Sequence, residues 1–131
     1  MKNRKVKVFI ICFIIFILIN LFMFNKVIEE GKALANNISI NNMNLKNVKD
    51  GIYYGEAKVS LVEVKLSVLV NNHHIKEIKL IKHQNGLGNK ANKIINDVVE
   101  KQSLNVDVIS NASVSSKCIL KAIEQALLNV K

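Results

Sequence analysis

The chain has 131 residues, of which 50% are apolar and 5% aromatic, and its 19 basic and 10 acidic side chains give a formal net charge of +9. This length is enough for one small domain with appendages. Because a nucleic-acid-binding surface concentrates basic residues and interleaves them with aromatic ones, this composition excludes nucleic acid as an expected partner.

The first predicted element is a membrane-spanning helix. From Val8 to Phe24 the only polar residue is Asn20. At a rise of about 1.5 Å per residue this run spans about 25 Å, close to the thickness of a bilayer's hydrocarbon core. We therefore predict that residues 1–25 form a basic tip and a single-pass signal anchor in the cell membrane. Four basic residues precede the run and predict a cytoplasmic N-terminus: Lys2, Arg4, Lys5 and Lys7.

A cleaved signal peptide is the alternative for this segment. Its apolar region would be shorter, and a small-residue cleavage site would follow closely. The only such site, Ala33-Leu34-Ala35, comes late and lies beyond several charged residues. An uncleaved anchor is therefore favoured, and both alternatives place the following domain outside the cytoplasm.

The next segment, residues 26–49, is polar and rich in asparagine. This composition predicts a stalk or linker, the first part of which could be a short helix. We place the folded domain at residues 50–131.

Three strands are predicted at the start of this domain. The stretch "GIYYGEAKV" has strand composition, and "LVEVKLSVLV" alternates apolar and polar side chains, as a half-buried strand does. "IKEIKLIKH" reads as the returning strand of a hairpin, with Asn-containing "NNHH" at the turn. His73 and His74 are interpreted as turn residues rather than metal ligands, because no third ligand is evident.

Two helices and a short fourth strand, "SLNVDVI", complete the prediction. The order β-β-β-α-β-α describes an α+β domain with a small antiparallel sheet. Cys12 falls in the membrane segment and Cys118 in the last helix, so no disulfide is expected between them. Apolar residues recur every three or four positions on both helices: Leu87, Ala91, Ile94, Ile95, Val98 and Val99 on the first, and Ile119, Ile123, Ala126, Leu127 and Val130 on the second.

Four serines crowd the start of the last helix, from Ser110 to Ser116. Ser115 or Ser116 would serve as its N-cap. The other hydroxyls, together with free N–H groups at the helix start, would suit a phosphate group. A serine-rich turn with a single cap is the alternative that the spacing leaves open.

The stretch "DVISNASVSSKCILKAIEQAL" resembles the flavinylation motif D-x-x-S-G-A-T-x-[ST]-[ST] of the bacterial FMN-binding domain family. That family includes domains of the Rnf complex G subunit and of the sodium-pumping NADH:quinone reductase C subunit. Asp107, Ser110 and Ala112 match the motif, Asn111 replaces its glycine, and Ser113 replaces its threonine. "DGIYYGEAKV" resembles the family's opening D-G-x-Y-x-G. "HQNGLG" resembles H-x-E-T-P-G-L-G without its E-T-P portion.

This resemblance implies that FMN is joined through its phosphate to the Ser113 hydroxyl by a separate flavin transferase. It further implies that Asp107 belongs to the transferase recognition motif and that Ser115 and Ser116 hold the phosphate. The remaining residues implied at the FMN site are Tyr54, His83, Gly86, Leu87, Gly88, Ser110, Asn111 and Ala112. Leu87 could instead be only the first core residue of its helix, and His83 a strand-end histidine bonded to backbone.

The function that the resemblance implies is electron transfer, with redox partner proteins or a quinone as partners. We expect an electron carrier rather than a stand-alone enzyme, because no acid–base pair or nucleophile triad emerges. The alternative is a flavin-free, membrane-anchored interaction or regulatory module that keeps the FMN-binding fold. A third interpretation, an anchored enzyme such as a reductase or the transferase, has less support.

Overall fold

The computed structural model describes residues 2–84 and 88–129 and separates the chain into two compact units, Met1–Glu30 and Gly31–Lys131. The first helix, α1, covers Lys2–Asn37. The large apolar side chains between Val6 and Phe24 are 42% to 73% exposed. By length and composition α1 can cross a membrane, as predicted.

The second unit contains a three-stranded antiparallel sheet, as predicted. Its strands are β1 (Gly51–Val59), β2 (Val62–Asn71) and β3 (His74–Gln84), in the order β1-β2-β3. The alternating apolar residues of β2 are all buried. Asn72 and His73 have positive φ angles in the β2–β3 turn, which confirms the predicted hairpin tip.

Two helices cover one face of this sheet. Helix α2 (Gly88–Lys101) packs on β3, and α3 (Ser113–Leu128) packs on β1 and β2. The predicted inner face of α3 is buried from Ile119 to Leu127. Gly55 allows the closest approach, since a Cβ atom there would lie 2.0 Å from the Ala122 carbonyl oxygen. The α+β class is therefore confirmed. Leu87 and Val130, assigned to helix faces from the sequence, lie outside the described residues, and nothing is described of the Ala91 side chain.

The predicted fourth strand, residues 103–109, is wrong. This segment forms no strand, so the observed order within the domain is β-β-β-α-α. Leu104 is buried and Val106 and Ile109 are half-buried, which explains the apolar alternation without strand pairing. Two of its backbone N–H groups bond to side chains instead: the Asn105 N–H donates to Ser103 Oγ at 3.0 Å, and the Leu104 N–H donates to Asn42 Oδ1 in the distant segment 38–48 at 3.2 Å.

One side chain makes hydrogen bonds to backbone groups at the outer edge of β3, where no strand of the described chain pairs. Gln102, which follows α2 with a φ of 50°, reaches the backbone of Ile75 in β3. Its Oε1 accepts the Ile75 N–H at 2.7 Å, and its Nε2 donates to the Ile75 carbonyl at 2.8 Å. The Gln102 amide thus makes both hydrogen bonds that a neighbouring strand would make at this residue.

The asparagine-rich segment 38–48, here called the strap, is tied to α3. Its Asn41 N–H donates to Glu124 Oε1 at 2.9 Å, and Lys117 Nζ donates to the Ile38 carbonyl at 3.4 Å. Val48 and the preceding Ala35 are buried in the core. Part of the segment predicted as a linker therefore packs within the unit Gly31–Lys131. The assignment of cofactor binding to residues 50–131 stays a prediction.

Candidate cofactor site at the start of α3

The serine cluster, defined as Ser110, Ser113, Ser115 and Ser116, lies in the turn before α3 and in its first turn. The helix begins at Ser113, and its N-cap is Ala112, which makes no side-chain cap hydrogen bond. The prediction that Ser115 or Ser116 caps the helix is therefore wrong. Both are buried within the first turn. Ser116 Oγ accepts the Ile109 N–H at 3.2 Å and so closes the preceding loop.

The start of α3 offers both a hydroxyl and backbone donors. The first N–H groups of a helix have no partner within it, and the alanine at the N-cap supplies no side-chain acceptor. Such a terminus favours a bound phosphate. Ser113 is partly exposed, and Ser110 and Asp107 are exposed on the loop leading to it. Among the four serines, Ser113 combines the first helical position with access to solvent.

Asn111 adopts a left-handed backbone conformation, with a φ of 62°. Glycine takes this conformation most readily, and asparagine tolerates it better than most other residues. The exposed Asn111 therefore satisfies the backbone requirement at the position where the flavinylation motif has glycine.

His83 lies on the same side of the sheet as α3, at the end of β3. It is the cross-strand partner of buried Val64, and directly opposed residues share one face. Cys118, five positions after Ser113, donates its S–H to the Val62 carbonyl at 3.6 Å on the same strand as Val64. The β3 end that carries His83 therefore lies at the Ser113 end of α3.

The His83 ring leaves one buried polar atom without a partner. Within the described residues, its Nε2 makes no hydrogen bond. Burial lowers the pKa of His83, so the ring is neutral at pH 7. An unpaired buried polar group costs about 1 to 3 kcal/mol, a cost that a ligand atom bonded to it would remove.

Comparison with protein families identifies the family to which this domain belongs. Residues 61–128, just over half of the chain, match the model of the FMN-binding domain. The chain belongs to the FMN-binding domain family. The family match indicates FMN as its cofactor. Comparison with curated proteins gave no significant match.

The residues at the start of α3 fit FMN. The phosphate suits the donors at the helix start, and the unpaired His83 Nε2 suits a polar flavin atom. The FMN-binding match includes β2, β3, α2 and the whole serine cluster. Sequence reasoning thus located the hydroxyls, whereas the structure adds the conformation that exposes Ser113.

Tyr54 is not brought to the serine cluster. It is 67% exposed, and its neighbour Gly55 is the residue that lies against α3. Gly55 itself lies against Ala122, about 13 Å along the helix axis from Ser113. Tyr54 instead lines an open cavity of about 560 Å³ with Gln125 and Asn129. The predicted site residues Gly86 and Leu87 lie outside the described residues, and Gly88 is the first residue of α2.

Two apolar side chains near the cluster were missed by sequence reasoning. Leu61 in the β1–β2 turn is 54% exposed, and Val108 in the loop before the serines is 41% exposed. The sequence signal that could have identified them is an apolar residue in a predicted turn (Leu61) and an apolar residue in a polar loop (Val108). Both mark the end of the domain that carries Ser113.

Proposed function

We propose that this chain is a membrane-anchored, extracytoplasmic electron carrier whose FMN is attached through its phosphate to Ser113. The observation that carries the proposal is the partly exposed Ser113 hydroxyl at the first position of α3, aligned with the acceptor position of the flavinylation motif. Bound FMN supplies one- and two-electron redox chemistry. The chain's own residues tether and orient the cofactor.

Each residue of the site has a distinct proposed role. The Ser113 oxygen would form the phosphoester bond by attacking the phosphoanhydride of an activated flavin donor held by the transferase; the other half of the anhydride leaves, and the chain gains the mass of FMN less water. Backbone N–H groups of the first helical turn hold the phosphate. Ser115 and Ser116, which the motif assigns to the phosphate, are buried, so they support the turn that presents these groups rather than bind the phosphate through their side chains. Asp107 is exposed, which suits recognition by a flavin transferase. His83 stays neutral and offers its Nε2 to the flavin.

The anchoring part of the proposal is supported by α1. Its exposed apolar run and the basic residues before it favour a single membrane pass with the domain outside the cytoplasm. A covalent link suits a carrier in that location, because a tethered cofactor is not lost to the medium. Its redox partners would be proteins or a quinone.

A flavin-free interaction module is the second candidate. It is favoured by Asn111, whose side chain replaces the motif glycine, and by the missing E-T-P residues after His83. In this alternative the fold is kept, and the anchored domain serves as a binding or regulatory subunit.

The intact mass of the full chain separates the two candidates. We expect the chain, produced with a flavin transferase, to gain the mass of FMN less water. Ser113→Ala should abolish the gain, and Ser67→Ala, on the opposite face of β2, should retain it. An unmodified wild-type chain, under conditions that modify a domain with the S-G-A-T motif, would favour the flavin-free module. A gain of mass in Asn111→Gly alone would identify the Asn111 side chain as the obstacle.

A further inference from the structure

Two contacts show that the chain coming from α1 enters the domain at the end that carries the β1–β2 turn. Gly31, the first residue of the unit, lies against the β1–β2 turn, since a Cβ atom there would be 3.1 Å from Ser60 Oγ. The strap then follows α3 towards its C-terminal end: Ile38 is bonded to Lys117, and Asn41 is bonded to Glu124.

The serine cluster lies at this same end. Along β1, Gly55 lies against Ala122, whereas the Ala57 carbonyl accepts the Cys118 S–H at 3.3 Å. The direction from Gly55 to the β1–β2 turn is therefore the direction from the middle of α3 to Ser113. The hairpin tip at His74 is at the opposite end of the strands, about 25 Å away.

The chain between the apolar run and the domain is short. Six residues separate Phe24 from Gly31, and α1 continues through all of them. Their helical rise is about 10 Å, less than half the length of the strands. Even fully extended, the seven residue steps from Phe24 to Gly31 span at most about 25 Å, which is shorter than β2 at about 30 Å.

We infer that the end of the domain carrying Ser113, Leu61 and Val108 is its membrane-proximal end and works at the lipid surface. The exposed Leu61 and Val108 are apolar and suit contact with the interfacial region of a bilayer. The inference rests on the proposed anchoring of α1. Its consequence is that a redox partner reaches the cofactor at the membrane surface.

Site-specific labels test this orientation without any need for flavin. In a Cys12→Ser background, Val108→Cys and Lys76→Cys place one fluorophore at either end of the sheet; buried Cys118 stays unlabelled. The full chain is reconstituted in vesicles whose lipid headgroups carry a nitroxide quencher. We expect several-fold stronger quenching of the label at position 108. Equal quenching, or stronger quenching at position 76, would overturn the inference and leave flavin attachment untouched.

A spacer variant serves as the matched control. A helical insert of about 30 Å after Asn25 should weaken quenching at position 108 and remove the difference between the labels, whereas the same insert after Lys131 should change nothing. A difference that persists with the spacer after Asn25 would overturn the inference. Failure of the chain to float with vesicles would overturn the anchoring and, with it, the inference. Flavin attachment is measured separately by mass.

Discussion

The first turn of α3 and its middle differ in how they are held. In the first turn, Ser113 is partly exposed and the N-cap Ala112 provides no side-chain cap. In the middle, Gly55 touches the helix backbone at Ala122, and Glu124 is fully buried against the strap. The same helix thus leaves polar groups accessible in its first turn and is fixed by its packing in its middle.

The largest expected effect is at Gly55. In Gly55→Ala the new Cβ would meet the Ala122 carbonyl oxygen, so the helix must move off the sheet. We expect a loss of about 3 kcal/mol or more in the free energy of unfolding. Urea titration of the full chain in micelles, followed by circular dichroism, measures it. Gly31→Ala is the matched control, because its new Cβ would lie 3.1 Å from Ser60 Oγ and 3.2 Å from Ser60 Cβ and would meet no helix backbone at 2.0 Å. Similar losses in both variants would contradict the close packing at Gly55.

Removal of the buried carboxylate should have the next largest effect. Burial alone would raise the pKa of Glu124, but hydrogen bonds from Lys121 and from the Asn41 N–H outweigh it, and the pKa lies below its ordinary value. Glu124→Ala leaves these donors unpaired and should cost about 2 kcal/mol at pH 7.

The same carboxylate predicts a pH dependence. Because its folded pKa is lowered, its contribution to stability is present above the unfolded value of 4.5 and is lost as the pH falls through the folded value. The stability difference between wild type and Glu124→Gln should therefore shrink in acid. Unfolding titrations at pH 7 and pH 3 measure this difference, and a constant difference would count against the ionised form.

Two serines of the cluster should differ in their effect on stability. Ser116→Ala removes the acceptor of the Ile109 N–H and should cost about 1.5 kcal/mol. Ser113→Ala should change the free energy of unfolding by less than about 0.5 kcal/mol, because its hydroxyl is partly exposed. Thermal unfolding of both variants makes the comparison. A large loss in Ser113→Ala would assign that hydroxyl to folding.

A smaller effect than that of Ser116→Ala is expected at Asn111. Asn111→Ala should destabilise the domain by about 1 kcal/mol, because alanine tolerates the positive φ poorly. Asn111→Gly should be neutral or slightly stabilising, since glycine adopts this conformation freely. Thermal unfolding midpoints of the two variants measure this. A higher midpoint for Asn111→Ala than for Asn111→Gly would contradict the left-handed conformation of Asn111.

Periodic features of the domain were predictable from the sequence. The alternation from Val62 to Val70 reports which side of β2 is buried, and the spacing from Ile119 to Leu127 reports the inner face of α3. The serine cluster was also evident, because its residues are adjacent in the chain.

Features that depend on distant contacts were not predictable. The strap has a linker's composition, and its fixation depends on Glu124, 83 positions after Asn41. The alternation in 103–109 reports burial but not strand pairing, which produced the wrong fourth strand. The N-cap was misplaced because local preference favours serine, whereas the bond from Ile109 placed Ser116 inside the helix.

The Gln102 amide has a consequence for how neighbouring copies behave. In the three-stranded sheet formed by residues 51–84, both β1 and β3 are edges, and exposed edges recruit strands from other molecules. By occupying the backbone of Ile75, the Gln102 side chain denies that position to an incoming strand. Under the proposed membrane anchoring, copies of the chain would meet at high local density, and a blocked edge position would then disfavour pairing of strands between molecules.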